Sequence, residues 1–233
     1  MNVGWFDASI WHGVWLTVQI AGLAVLVTLP FGIGLGWLLA RRSFWGKSLI
    51  EVTINIPLTI PPVVTGLLLL YLLGRRGWIG KPLYDAFGWE IALTWKAAVI
   101  AAGVMGFPLM VRSCRLAFAS YDSRLVQVAR SLGASPLDTL LSVSLPLARD
   151  GIIAGAVLAF ARGLGEFGAT LMFAGIRTET RTLALQIYVL NQQPDEIAER
   201  QMWALVMTSL AIAFVALAIS EYLQKRGARH GSA

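Results

Sequence analysis

Apolar positions along this chain fall in long blocks separated by short polar segments. Five blocks, Val14–Ala40, Leu49–Leu73, Ile91–Val111, Ile152–Ala174 and Trp203–Tyr222, are each long enough as a helix to cross roughly 30 Å of hydrocarbon. No stretch alternates apolar and polar residues in the way a membrane β-strand requires. The pattern predicts an all-α integral membrane protein, a polytopic bundle of about five transmembrane helices, with residues 1–233 forming one transmembrane domain. The first four blocks contain Gly or Pro, including Pro30, Pro57, Pro61, Pro62 and Pro108. Such residues would break a soluble helix, whereas packed membrane helices tolerate them.

Composition points the same way. Hydrophobic residues make up 57% of the chain and charged residues 14%, against roughly 25% charged in soluble domains. Mean hydropathy is +0.68. A soluble enzyme of this composition would expose large apolar patches and aggregate. The net charge of +6 is carried by Lys and Arg scattered through short segments without a run of five, so no nucleic-acid partner is expected. One cysteine, Cys114, excludes an internal disulfide and a Cys-based zinc site. The two histidines, His12 and His230, stand at opposite ends, so no metal site and no bound cofactor are expected. Met1–Asp7 carries no basic residue, and the apolar run beyond it outlasts a signal h-region. No cleavage is expected.

Charge asymmetry sets the orientation. With the N-terminus outside, inner segments hold eleven basic residues: Arg41, Arg42 and Lys47, then Arg112, Arg115, Arg124, Arg130 and Arg149, then Lys225, Arg226 and Arg229. Outer segments hold seven: Arg75, Arg76, Lys81, Lys96, Arg177, Arg181 and Arg200. Trp5, Trp11, Trp15, Trp78, Trp89, Trp95 and Trp203 would then all sit at the outer rim, as interfacial anchors do. The expected topology is N-terminus outside, C-terminus cytoplasmic. The longest segment between spans, 112–151, is about 40 residues and too small for a nucleotide-binding domain. Energy must come from another polypeptide or from an ion gradient.

Two motifs are false leads. Gly46-Lys47-Ser48 ends like a P-loop, but Arg41 stands where the first glycine belongs and no strand precedes it. Gly32-Ile33-Gly34-Leu35-Gly36 lacks dinucleotide-binding spacing; its Gly32 and Gly36 suit close packing of membrane helices.

The segment 112–151 is the most specific part of the chain. Ser120 to Gly133 reads as a short helix and a turn; Ser135 opens a second helix with Pro136 at its first position, and Leu145-Pro146 reads as a stop. On spacing alone this is a solvated helical hairpin. The loop resembles the EAA loop of the membrane subunits of bacterial ABC importers, in which Glu-Ala-Ala, three residues, Gly, nine residues and Ile-x-Leu-Pro follow one another. Here Gln127-Val128-Ala129, Gly133 and Val143-Ser144-Leu145-Pro146 keep that spacing, with Gln127 for Glu, Val128 for Ala and Val143 for Ile. The resemblance implies the type I importer fold and a coupling helix that docks on an ATPase subunit, with Gln127, Val128, Ala129, Gly133, Ala134, Ser135, Pro136, Leu145 and Pro146 at the contact.

Further stretches are similar to the molybdate permeases of the oxyanion importers. They are Pro61-Pro62-Val63-Val64-x-Gly66, Gly74-Arg75-Arg76-Gly77-Trp78-Ile79-Gly80, Leu83-Tyr84-Asp85-x-Phe87-Gly88, and Phe160-Ala161-Arg162-x-Leu164-Gly165-Glu166-Phe167-Gly168-Ala169-Thr170. The last is shared with sulfate permeases. The resemblance implies a permease subunit of the inner membrane that has no catalytic site and moves molybdate by alternating access. It also implies a second copy of the chain, two separate ATPase subunits carrying ATP and Mg, and an external oxyanion-binding protein. Sulfate, thiosulfate or tungstate is the nearest alternative cargo. A gradient-driven anion carrier is a different class, and would usually show internal repeats and more intramembrane carboxylates.

Five residues stand out as candidates for the path. Arg162 and Glu166, four apart, would share a helix face, with Arg162 roughly 15 Å inside a span that starts at Ile152. They either neutralise each other as a structural pair or serve the ion path. Pro61 and Pro62, with Pro57, free backbone carbonyls beside Asn55. Those groups are either simple kinks or one wall of a water-filled pathway.

Overall fold

The computed structural model describes the chain from Ala8 to His230, with side chains described from Trp11 to Ile219 and at Glu221 and Tyr222. Trp5 lies outside this range, as do the side chains of Lys225, Arg226 and Arg229. In chain order the helices are α1 (Ala8–Arg41), α2 (Lys47–Thr59), α3 (Pro62–Leu73), α4 (Gly80–Phe87), α5 (Trp95–Ser120), α6 (Ser123–Ser131), α7 (Pro136–Thr139), α8 (Leu145–Leu164), α9 (Gly168–Phe173), α10 (Leu183–Asn191) and α11 (Glu196–His230). A π-helical segment, Leu140–Ser144, joins α7 to α8. The described residues contain no strand.

Small residues decide the packing. α5 is the central helix, with Ala97, Ala98, Ala101, Ala102, Gly103 and Gly106 buried, and it packs on both α1 and α8. A Cβ added to Gly32 would meet the Met110 side chain, and one added to Gly36 would lie 2.5 Å from the Cys114 Cβ. Gly32 and Gly36 therefore do serve close packing between helices, because only a bare Cα lets the two backbones approach this closely. Going along α1 from Ala24 to Gly36, the partners on α5 advance from Gly103 to Cys114, so α1 and α5 run parallel. On α8 the order reverses: Gly151 meets Ala117, and Gly163 meets Ala102. α8 is antiparallel to both.

A parallel pair needs a return crossing between its members, and α2 with α3 is the only long apolar segment between α1 and α5. Among the described residues four helices are long and apolar enough to cross a membrane, or five if the bent α2–α3 pair is one span. The second apolar block, expected as one helix, is thus two, set at 113° to each other. Proline is the cause. Ile60 is extended at φ −84° and ψ 152°, the region to which a residue preceding proline is confined. Pro61 and Pro62 then restart the chain with Pro62 in the first turn of α3.

Helix ends elsewhere also depart from the apolar blocks. α5 continues past Val111 to Ser120 and α8 starts seven residues before Ile152, so the segment between them shortens from both sides. Arg162 accordingly lies roughly 25 Å along α8 from Leu145, not midway through it. Pro146 does not stop the chain. The Leu145 N–H reaches back to the Leu140 carbonyl in a π turn, whose wider ring leaves room for a pyrrolidine that would clash in an α turn. The fourth block is interrupted at Gly165–Phe167 between α8 and α9. Trp11, Trp15, Trp78, Trp89, Trp95 and Trp203 are all exposed, and they gather at the end of the bundle where α1, α5 and α11 begin. The hairpin of α6 and α7 is at the other end.

Candidate functional site

The α6–α7 hairpin is built from local signals. Asp122 opens α6 by accepting the Arg124 N–H at 2.8 Å. At its far end the Gly133 N–H donates to Arg130 O and the Ala134 N–H to Ala129 O, both at 3.1 Å. This double closure needs a left-handed residue, and Gly133 supplies it at φ +92°. Ser135 Oγ then accepts the Asp138 N–H while the Asp138 carboxylate accepts the Ser135 N–H, a reciprocal cap with Pro136 in the first turn.

What the hairpin presents is apolar. Leu125, Val128, Leu132, Leu137 and Leu141 are all exposed, Leu132 at 83%. Gln127, Gly133, Ser135, Pro136 and Pro146 share that exposure, while Ala129, Ala134 and Leu145 are half-buried. Capped helices with five apolar side chains in the open form a surface suited to covering by another protein. The hairpin is also tied to the bundle. Arg41, the last residue of α1, donates to Tyr121 O at 3.1 Å and stacks 4.0 Å over the Tyr121 ring. This contact joins the end of α1 to the link between α5 and α6.

Toward the tryptophan end, the two broken spans restart against each other. A Cβ on Gly168, the first residue of α9, would lie 3.0 Å from Pro62 Cβ, and one on Gly66 would lie 2.5 Å from Ala169 O. Beside this junction, Arg162 Nη1 is 2.7 Å from Glu166 Oε2, in charge contact without the alignment of a hydrogen bond. Glu166 Oε1 accepts the Ala169 N–H at 2.8 Å. Of the path candidates, Pro61, Pro62, Arg162 and Glu166 thus surround one junction. Asn55 does not. It lies on α2, where its Nδ2 donates to Glu51 O, and it lines a groove of about 570 Å³ with Ser48, Glu51 and Thr59.

That groove shares Glu51 and Asn55 with a cavity of about 170 Å³ lined also by Leu39, Pro108, Arg112 and Arg115. Glu51 Oε1 pairs with Arg115 Nη1 at 3.0 Å. Sequence reasoning missed these three charged residues as a group because it ended the third span at Val111 and left the arginines in a loop. The signal was present: Glu51 and Asn55 stand four apart, on one helix face. Among the described residues no group of three or more His, Cys, Asp or Glu side chains could hold a metal ion.

Comparison with known proteins fits this geometry. Residues 32–229 match the family described as binding-protein-dependent transport system inner membrane component. The molybdenum transport system permease protein ModB of Escherichia coli K12 is 49% identical over 216 residues, covering 92% of this chain and 93% of that protein. ModB of Haemophilus influenzae is 45% identical, covering 91% and 92%. The sulfate transport system permease protein CysW of Escherichia coli K12 is 37% identical, covering 94% of this chain and 75% of that protein. In fold, the chain superposes on the MetNI methionine ABC transporter in an inward-facing conformation (TM-score 0.64, 19% identity, 92% and 95% of the two chains). A bacterial alginate ABC transporter gives a TM-score of 0.67 at 16% identity, over 94% and 80%. The hairpin, the helical bundle and these likenesses agree: the chain belongs to the binding-protein-dependent transport system inner membrane components.

Proposed function

We propose that this chain is the membrane-spanning subunit of an ATP-driven importer that carries molybdate inward by alternating access. The observation that carries this reading is the likeness to molybdenum permeases over nine-tenths of both lengths. In this reading residues 1–233 act as one permease domain, N-terminus outside and C-terminus cytoplasmic, and two copies enclose the path. An external binding protein delivers the ion at the tryptophan end. Two ATPase subunits, which hold ATP and Mg, dock at the other end on the α6–α7 hairpins.

The permease makes and breaks no bonds. ATP binding to the docked subunits favours one arrangement of the two copies and its hydrolysis the other, a shift driven by differential binding to two states. Leu125, Val128, Leu132 and Leu137 are the contact that transmits the shift. The Arg41–Tyr121 clamp passes it to α1 and α5. The Ile60–Pro62 bend and the Gly165–Phe167 break, which meet at one junction, are where the spans turn relative to each other. Arg162 and Glu166 keep that junction electrically closed.

The test is uptake of labelled molybdate into vesicles containing the permease, the ATPase and the binding protein. Uptake should require ATP, stop with vanadate and persist under excess sulfate. Equal suppression by sulfate would assign the chain to a sulfate carrier instead. ATP-independent uptake that follows an ion gradient would overturn the coupling itself.

A further inference from the structure

The Glu51–Arg115 pair is hard to justify as a structural tie. Its side chains are 29% and 40% exposed, and ion pairs so hydrated add little stability. α2 has no buried residue that a tie would protect. Arg112 is stranger still. It sits one turn before Arg115 on the same face of an apolar helix, lines the same cavity, and has no ion-pair partner among the described residues. A cationic side chain placed in a span is costly unless it serves a wet cavity.

We propose that Arg112 and Arg115 form a transient station for a tetrahedral oxyanion near the hairpin end of the path, and that Glu51 is the built-in competitor that empties it. This rests on the reading of the chain as an oxyanion carrier. Two arginines facing one small cavity would hold a dianion tightly, since guanidinium forks match oxyanion edges and both cations attract it together. A carrier cannot tolerate that, because a trapped ion is not delivered. With Glu51 on Arg115, the resting site presents one uncompensated positive charge instead of two. An arriving anion takes Arg112 first and displaces the Glu51 carboxylate from Arg115. Recapture of Arg115 by Glu51 then expels the anion toward the hairpin end. Asn55, one turn from Glu51, lines the same cavity, and its amide N–H bonds the Glu51 carbonyl within α2 at 2.6 Å.

The experiment measures equilibrium binding of labelled molybdate and, separately, labelled sulfate to the permease–ATPase complex in nanodiscs at low chloride, beside uptake in vesicles. Glu51→Gln frees Arg115, so binding of the carried anion should tighten at least tenfold while uptake falls at least fivefold. Adding Arg112→Gln to Glu51→Gln should return binding to the wild-type level. Glu51→Asp, which keeps the charge but shortens its reach, should give an intermediate gain and serves if Glu51→Gln does not fold. Arg112→Gln alone breaks no ion pair and should leave the complex intact with several-fold slower uptake. A purely structural pair would lower uptake in Glu51→Gln without any gain in binding, and that result overturns the proposal. If the wild type carries sulfate in place of molybdate, the cargo assignment fails while the station still stands on a gain for sulfate. A gain for neither anion in Glu51→Gln and Glu51→Asp refutes the station whatever the wild type carries.

Discussion

Arg162 and Glu166 are joined across a break in the chain, not along one helix. Arg162 lies in the last turn of α8, Glu166 just ahead of α9, and Gly165 caps α8 between them. Their order, Arg before Glu, is the weaker one within a continuous helix. Across a break it becomes the favourable one. The cation faces the carbonyl end of α8 and the carboxylate meets the free N–H groups of α9, one of which, from Ala169, it accepts directly. Glu166 thus has a second partner, the Ala169 backbone N–H, beside Arg162.

The two members are unequally buried, Glu166 at 2% exposed and Arg162 at 26%, and this makes their removal unequal. Arg162→Gln strands a carboxylate away from water and should cost roughly 3–5 kcal/mol. Glu166→Gln leaves a guanidinium that water partly reaches and keeps an acceptor for Ala169, so the loss should be about 1–2 kcal/mol. The double variant should recover most of the stability. Thermal unfolding of the purified complex reads all three; equal losses from the two single changes would contradict the asymmetry. A stable double variant without uptake, its ATPase still docked, would show that Arg162 also acts on the anion.

At Gly133 the backbone is left-handed and the space around it is open, with nothing within 4 Å of an added Cβ. The cost of substitution is therefore conformational, about 1–2 kcal/mol for alanine and less for asparagine, which tolerates this region. Asparagine and aspartate have nearly the same shape, so comparing them isolates charge. Gly133→Asn should keep ATPase co-purification near wild type, and Gly133→Asp should lose it while still reaching the membrane. Co-purification equal in both would place the docking surface away from the turn.

The hairpin was legible because its determinants are close in sequence: Asp122, Gly133 and the Ser135–Asp138 reciprocal cap each act within five residues. The Gly32–Gly36 spacing was legible for the same reason, although its partners on α5 were not. The apolar blocks are helical, but the helix ends did not follow hydropathy. Arg112 and Arg115 lower the apolar average without breaking α5, since a helix carries charges wherever a cavity or a carboxylate such as Glu51 receives them. The Gly165–Phe167 break was hidden because its neighbours are as apolar and helical as any others in that block. The stop read at Pro146 failed because a π turn, invisible to residue pattern, accommodates the ring. The bend at Pro61 was written in the sequence as prolines; its angle depends on where α3 finds Ala169.

Close approach of α1 and α5 gives a control two residues long. A Cβ on Gly36 would lie 2.5 Å from Cys114 Cβ and 3.0 Å from the Arg115 nitrogen, whereas one on Gly34 meets nothing. Gly36→Ala must push the helices apart and should destabilise by about 1–3 kcal/mol. Gly34→Ala adds only helix preference and should be neutral or stabilising by about 0.5–1 kcal/mol. Thermal unfolding in detergent distinguishes them. Matching effects would mean that α1 and α5 do not touch at Gly36.

Orientation is open to a labelling test for which the native cysteine needs no removal. Cys114 is 0% exposed within the bundle, and a thiol that reagents cannot reach stays unmodified. Ala86 on α4 and Ser131 on α6 are both exposed, lie at opposite ends of α5, and belong to no cap. With the basic residues weighted toward the hairpin side, that side should face the cytoplasm. Ala86→Cys should therefore react with a membrane-impermeant maleimide in intact cells. Ser131→Cys should react only after the membrane is opened, and ATPase docked on the hairpin should then slow it. Labelling of both from outside would mean that α5 does not cross. The reverse pattern, Ser131→Cys reacting in intact cells and Ala86→Cys silent, would put the hairpin on the side that lacks ATP, and no ATPase could drive transport through it.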